Sequence, residues 1–125
     1  MRTPANELPF GVVSPYWLDL RRYDPVSVAA VLAKPMLILQ GGRDYQVTVD
    51  DDLAGWKTGL AHRANVLVRV YPSDNHSFFP GTGPSAPMEY EQSHHMDPVA
   101  VADIASWLTV PKFNKARSAS SGFER

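Results

Sequence analysis

The stretch Pro35 to Asp44, Pro-Met-Leu-Ile-Leu-Gln-Gly-Gly-Arg-Asp, decides how the rest of the chain can fold. Its short apolar run, Met36 to Leu39, lies between a proline and two glycines, which is typical of a buried strand in a parallel sheet, although the length of the run also fits a helix. The run places Asp44 just beyond its carboxyl end. Ligands and catalytic groups gather at that edge of open α/β sheets, so Asp44 is the first candidate functional residue.

The composition excludes several classes of function. The chain has 125 residues, of which 44% are hydrophobic and 20% charged, as expected for one globular domain. A formal net charge of -1 gives no electrostatic footprint for nucleic acid or an anionic membrane, so we expect neither as a partner. There are no cysteines, which excludes disulfides and a thiolate nucleophile.

The sequence also carries no signal for a membrane or for export. No apolar run approaches the roughly 18 residues that a membrane span needs, and the first residues lack the apolar core of a signal peptide. A cytoplasmic location is therefore the expectation.

Two Asp-Pro pairs predict helix starts, because the aspartate can accept hydrogen bonds from free backbone amides and proline suits the first helical position. From Asp24-Pro25 we expect a helix to about Ala33, and from Asp97-Pro98 a helix to about Leu108. The first helix would have an apolar face of Val28, Val31 and Leu32. The second would have one of Val101, Ile104, Trp107 and Leu108.

A third helix and a second strand are predicted between these. Apolar residues at helical spacing form a core-facing stripe of Val49, Leu53, Trp56 and Leu60. Asp50 to Asp52 would lie in its first turn, where the helix dipole favours anions; a solvated face fits them better than a calcium site. Val66 to Tyr71 is rich in β-branched residues and is the second strand. A strand, helix and strand in succession predict parallel neighbours.

The remaining chain divides into three kinds of segment. Residues 1–15 contain Pro4, Pro9, Gly11 and Pro15 and are expected to be irregular, residues 16–109 to form the folded part, and residues 110–125 to be a flexible tail. Ser77 to Met96 is a long loop that could form a flap over the carboxyl ends of the strands.

Asp44 and His76 are the residues most suited to chemistry. Each follows a predicted strand, and the two strands are expected to be neighbours, so the two side chains can meet. A histidine of near-neutral pKa can shuttle a proton, and a carboxylate beside it can fix its tautomer and stabilise the imidazolium. A purely structural pair remains the alternative.

Two segments resemble a known family: Lys34-Pro-Met-Leu-Ile-Leu-Gln-Gly-Gly-Arg-Asp44-Tyr-Gln-Val and Asn65-Val-Leu-Val-Arg-Val-Tyr-Pro-Ser-Asp-Asn-His76-Ser-Phe-Phe. They are similar to the carboxyl-terminal part of an α/β-hydrolase, in the esterase and serine-aminopeptidase-like branch. The resemblance covers roughly Tyr16 to Leu108. It implies the last parallel strands of such a sheet with flanking helices, Asp44 as triad acid, His76 as general base, a small carboxylic ester as substrate, and no metal or organic cofactor.

The nucleophile of that family is missing. Such enzymes attack with a serine in a Gly-x-Ser-x-Gly turn upstream of the acid, whereas Ser14 and Ser27 have no flanking glycine and Ser85 lies downstream in a proline-broken loop. The nucleophile is therefore unknown, and we expect the isolated chain to be a weak or inactive esterase. The missing strands would leave an open sheet edge, which predicts self-association or a complementary chain.

Several other residues have a structural and a functional interpretation. Tyr16 and Trp17 are either packing residues or an aromatic wall of a substrate pocket, and Tyr45 and Phe78 are further candidates for that pocket. His94 and His95 are adjacent and would point apart in an extended segment, so no metal site is expected. For Arg43, the role of a surface or pairing residue is favoured over that of a residue that binds the substrate. The alternative to the whole enzymatic interpretation is a non-catalytic interaction module that associates through its open sheet edge.

Overall fold

The structure, a computed structural model, describes residues 7–110. The chain divides into two compact units, Met1–Leu32 and Ala33–Arg125, which are described separately. Parts of the expected amino-terminal segment (residues 1–6) and of the expected tail (residues 111–125) lie outside the described residues.

The first unit contains a 3-10 turn, Pro9–Gly11, and two short helices, α1 (Ser14–Leu20) and α2 (Pro25–Ala30). Pro15 lies in the first turn of α1, where proline is tolerated because its missing N–H would have no helical partner. Pro15, in the segment expected to be irregular, therefore stands at a helix start.

The cap predicted for α2 is confirmed. Asp24 Oδ1 accepts hydrogen bonds from the amides of Val26 (3.1 Å) and Ser27 (3.2 Å). The expected end at Ala33 is wrong, because α2 stops at Ala30. The expected apolar face is wrong as well: Ala29 is the buried residue, whereas Val28, Val31 and Leu32 are exposed.

The second unit is built on two parallel strands, β1 (Met36–Gly41) and β2 (Val66–Tyr71). They pair in register from Met36 opposite Val66 to Gly41 opposite Tyr71. The predicted parallel neighbours are confirmed, and β1 extends two residues beyond the apolar run. Within residues 7–110 the sheet has these two strands only, so each strand has one open edge.

The connection between the strands is a five-residue π-helical turn, Val49–Leu53, followed by α3 (Ala54–Gly59). Thr48 caps the turn: its hydroxyl accepts from the Asp51 amide (3.2 Å), and the Asp52 carboxylate accepts from the Thr48 amide (2.6 Å). Leu53 and Leu60 are buried, as the predicted stripe requires. The turn contacts β1 and so closes part of the core.

The last helix, α4 (Pro98–Thr109), also contacts β1. Its predicted cap is confirmed, because Asp97 Oδ1 accepts from the Val99 amide at 2.8 Å. Its predicted apolar face is only half right: Ile104 and Trp107 are partly buried, but Val101 and Leu108 are exposed. The fully buried residue of this helix is Ala100, and its small side chain permits close approach of α4 to its neighbours.

Few of the described apolar residues are buried. Ala29 is buried in the first unit, and the core of the second unit consists of Leu53, Leu60, Tyr71 and Ala100. A groove of about 510 Å³ lies between the sheet and α4, and its lining includes Leu37, Leu67 and Trp107. Among the described residues, none of the helices has both the length and the hydropathy needed to cross a membrane.

Candidate active site

Asp44 and His76 meet at the carboxyl ends of the two strands. His76 Nδ1 lies 2.8 Å from Asp44 Oδ2, although the residues are 32 positions apart in the sequence. Asp44 follows β1 by three residues and His76 follows β2 by five. Because the strands are parallel neighbours, both loops leave the sheet at the same edge.

The turn after β1 holds Asp44 as an acceptor. Its Oδ1 accepts hydrogen bonds from the amides of Gln46 (2.9 Å) and Val47 (3.0 Å), and its side chain is only 5% exposed. Burial alone would raise the pKa of Asp44, but the hydrogen bonds from Val47, His76 and Gln46 outweigh it and lower the pKa below its usual value of 3.8. Asp44 is therefore ionised at neutral pH.

An ionised Asp44 determines which nitrogen of His76 carries the proton. A carboxylate can only accept, so His76 Nδ1 donates and the neutral ring has its lone pair on Nε2. The His76 side chain is 44% exposed, in contrast to that of Asp44. The pair can thus accept a proton at Nε2 and stabilise the resulting imidazolium.

Backbone hydrogen bonds join the segment that follows β1 to the end of β2 and the segment after it. The amide of Gly42 donates to the Tyr71 carbonyl (2.7 Å), and the amide of Arg43 donates to the Asp74 carbonyl (2.8 Å). A Cβ atom on Gly41 would lie 2.3 Å from the Asn75 carbonyl oxygen, closer than any real contact. Gly41 does not have a positive φ, so close approach, not backbone freedom, requires glycine there.

Asn75 shapes the turn that carries His76. Its buried Oδ1 accepts hydrogen bonds from the amides of Ser77 (3.0 Å) and Phe79 (3.1 Å). Its Nδ2 donates to Glu89 Oε2 at 2.9 Å. Sequence reasoning assigned no role to Asn75 or Glu89, although Asn75 directly precedes His76 in the segment that resembles the hydrolase family.

Arg43 is a pairing residue. Its side chain is 8% exposed and forms an ion pair with Glu89, and its Nε donates to the Gly83 carbonyl at 2.6 Å. The Ser85 hydroxyl donates to the same carboxylate of Glu89, at 3.0 Å. The loop expected to act as a flap is therefore attached to the end of β1 through Arg43.

The four aromatic pocket candidates are divided between the two units. Tyr16 and Trp17 belong to the first unit, where their rings form an edge-to-face pair with centroids 5.3 Å apart. In the second unit, Tyr45 is exposed, whereas Phe78 is partly buried and packs edge-on against Tyr71 at 5.9 Å. Their place in a substrate pocket stays a prediction. The 510 Å³ groove has neither Asp44 nor His76 in its lining.

The histidines of the long loop are not arranged as metal ligands. His94 stacks on Phe79 with ring centroids 5.0 Å apart. Over residues 7–110, no group of three or more histidine, cysteine, aspartate or glutamate side chains is placed to hold a metal ion.

Asp74 is a second buried carboxylate near the pair, and sequence reasoning did not single it out. It is 0% exposed and neither oxygen has a hydrogen-bond partner among the described residues. Burial raises the pKa of Asp74, the negative charge of Asp97 raises it further, and Arg43 acts in the opposite direction. An unpaired buried carboxylate of this kind favours its protonated form.

The chain is 41% identical over 105 residues to Esterase EstD of Thermotoga maritima, and the match covers 84% of this chain and 25% of that protein. The chain has an esterase-type relative. It spans about a quarter of the length of that curated protein. No family model matches the chain, and no solved structure matches it.

Proposed function

We propose that this chain is the acid- and base-bearing part of a carboxylic ester hydrolase of the serine-hydrolase type, with an α/β-hydrolase sheet. The observation that carries the proposal is the 2.8 Å contact between His76 Nδ1 and Asp44 Oδ2 at the ends of adjacent parallel strands. The similarity to Esterase EstD supports a small ester as the substrate.

In this mechanism His76 Nε2 removes the proton from a serine hydroxyl as the serine oxygen attacks the acyl carbon. The imidazolium then gives that proton to the departing alcohol, which leaves an acyl-serine. Water attacks the acyl-serine with the same base, releasing the acid and restoring the serine. Asp44 stays ionised throughout and stabilises the imidazolium. None of these steps requires a cofactor.

The nucleophilic serine is supplied by polypeptide outside these 125 residues. None of the serines upstream of Asp44 has flanking glycines, and the Ser85 hydroxyl donates to Glu89. The isolated chain is then a weak or inactive esterase, because loss of the nucleophile typically lowers kcat by several orders of magnitude.

The chain also needs a polypeptide that covers its sheet. Within the part of the chain that the structure describes, each strand has an open edge, and Leu67 and Val70 of β2 are exposed. Unpaired strand edges and apolar faces favour pairing with another chain. We propose a complementary polypeptide or a second copy as the partner.

The same exposed surface favours a second candidate function, that of a non-catalytic interaction module. In that case Asp44 and His76 would make a structural contact only. The two candidates differ in one measurable property: whether His76 is needed for ester turnover once the rest of a hydrolase is supplied.

A chimera tests the proposal. The 105 matched residues of this chain replace the corresponding part of Esterase EstD, and hydrolysis of an aryl ester is measured beside labelling with a fluorophosphonate probe. We expect the chimera to turn over ester, its His76→Ala variant to lose activity by about 10³-fold or more, and a His95→Ala control to retain it. The chain alone should neither label nor turn over.

Two results would contradict the proposal. Stoichiometric labelling of the chain alone at a serine, with turnover, would show that the nucleophile is present here. A folded chimera whose activity survives His76→Ala would exclude His76 as the base and favour the interaction module. Circular dichroism of both variants establishes folding.

A further inference from the structure

One carboxylate joins the residues that directly precede the acid and the base. Glu89 binds the guanidinium of Arg43, the neighbour of Asp44, and the side-chain amide of Asn75, the neighbour of His76. We propose that Glu89 is a positioning residue, which holds the two loop segments in the geometry that lets Asp44 contact His76. The proposal rests on the proposed function only for what the pair does, since the contacts themselves are structural.

The first half of the link runs through Arg43. Its guanidinium donates to the carbonyls of Gly83 (2.6 Å) and Ser73 (3.3 Å) as well as to Glu89. Ser73 belongs to the segment between β2 and His76. The arginine therefore fixes the start of the Asp44 turn against both the His76 segment and the long loop.

The hydrogen bond from Asn75 to Glu89 determines how the side-chain amide of Asn75 is oriented. Asn75 Oδ1 has to face the amides of Ser77 and Phe79, two residues that follow His76 and donate to it. The opposite end of an asparagine amide can only donate, and a carboxylate can only accept. Glu89 thus selects the single orientation of Asn75 that supports the His76 turn.

The charge of Glu89 is part of this arrangement. Its oxygens receive donors from Asn75, Arg43 and Ser85. The hydrogen bond from Asn75 contributes most to a lowered pKa of Glu89, against a smaller effect of burial, and Arg43 and Ser85 lower it further. Glu89 is ionised at neutral pH, and hydrogen bonds to an ionised acceptor are about twice as strong as neutral ones. A glutamine at this position would present an NH2 group to one of these donors.

The test uses Glu89→Gln in the full chain, with Glu91→Gln as the matched control. Glu91 lies on the same short 3-10 turn, Pro87–Glu91, and is exposed. Two nuclear magnetic resonance readouts require no turnover: the Nδ1–H tautomer population of ¹⁵N-labelled His76, and the hydrogen-exchange rates of the Ser77 and Phe79 amides. His76 is assigned from the spectrum of His76→Ala.

Glu89→Gln should reduce the Nδ1–H population of His76 and accelerate exchange of the two amides by roughly tenfold or more. Exchange of the amides within α4 should be unaffected. Glu89→Asp, which keeps the carboxylate, should retain part of the wild-type tautomer population and exchange protection. Glu91→Gln should change neither readout. In the active chimera, Glu89→Gln should lower kcat by more than it raises KM.

Unchanged tautomer and exchange in Glu89→Gln would overturn the inference. So would equal acceleration at α4, because Glu89 would then stabilise the whole unit and not the pair. If the resonance results are as expected while His76→Ala leaves the chimera active, the positioning role stands and the proposed function fails. The two hypotheses are therefore distinguished.

Discussion

A Cβ atom added to Gly41 would lie 2.3 Å from the carbonyl oxygen of Asn75. The end of β1 and the segment that carries His76 therefore touch backbone to backbone, with no room for a side chain. The Asp74 carbonyl is also within 2.7 Å of that position, so the neighbouring backbone cannot yield at one atom alone. The contact between Asp44 and His76 depends on this approach.

Gly41→Ala should destabilise the chain, because the added methyl group would displace backbone on both sides. Overpacking of this kind typically costs about 1–3 kcal/mol or more. Urea unfolding monitored by circular dichroism measures the loss. The matched control is Gly55→Ala, since Gly55 lies within α3 and a Cβ there meets nothing within 4 Å. Alanine should stabilise that position by about 0.5–1 kcal/mol; equal effects of the two substitutions would contradict the close approach.

Asp44→Asn should change how stability depends on acid pH. The folded-state pKa of Asp44 is lowered from 3.8, so the carboxylate contributes stability that is present above pH 3.8 and is lost as the pH falls through its lowered value. The difference in unfolding free energy between wild type and Asp44→Asn should therefore shrink from pH 6 to pH 2.5. Asp50→Asn, at an exposed position, controls for loss of one charge. A difference independent of pH would argue against the ionised contact.

Asp74→Asn should have the opposite pH dependence. The folded-state pKa of Asp74 is raised by burial and by Asp97, with Arg43 opposing. The folded chain therefore binds the proton more tightly than the unfolded chain, and its stability falls as the pH rises from about 3.8 through the raised value. Relative to wild type, Asp74→Asn should gain stability between pH 4 and pH 7 in thermal unfolding. If the difference in stability between Asp74→Asn and the wild type does not change with pH over this range, Asp74 has a hydrogen-bond or ionic partner in solution.

Tyr71→Phe should loosen α4. The Tyr71 hydroxyl donates to Asp103 Oδ2 at 2.9 Å, and burial together with this bond raises the pKa of Tyr71 to about 12. Loss of a hydrogen bond to a charged group costs about 1.5–3 kcal/mol, and amide exchange in α4 should accelerate accordingly. Tyr45→Phe, at an exposed tyrosine, should have no such effect. In the wild type, spectrophotometric titration should show that Tyr71 ionises near pH 12. If no tyrosine ionises at so high a pH, the contact between the Tyr71 hydroxyl and Asp103 is not formed.

Local patterns determined where several of the helices and strands begin. Strand β2 and the caps of α2 and α4 lie where the sequence predicts them, because β-branched runs and Asp-Pro pairs act within a few residues. The errors are in the carboxyl end and the apolar face of α2 and in the outer face of α4. Which side of a short helix is buried depends on what packs against it, and helical periodicity does not contain that information.

The sequence alone also predicted that Asp44 and His76 would meet, since parallel neighbouring strands deliver both to one edge of the sheet. The supporting contacts were decided only by the tertiary structure. Arg43 and Glu89 are 46 positions apart and are linked through a loop without periodicity, and the need for glycine at residue 41 arises from backbone that follows a different strand. Contacts of this kind depend on the path of the whole loop in space. The meeting of Asp44 and His76 could therefore be predicted from their places after two strands, whereas the residues that hold them could not.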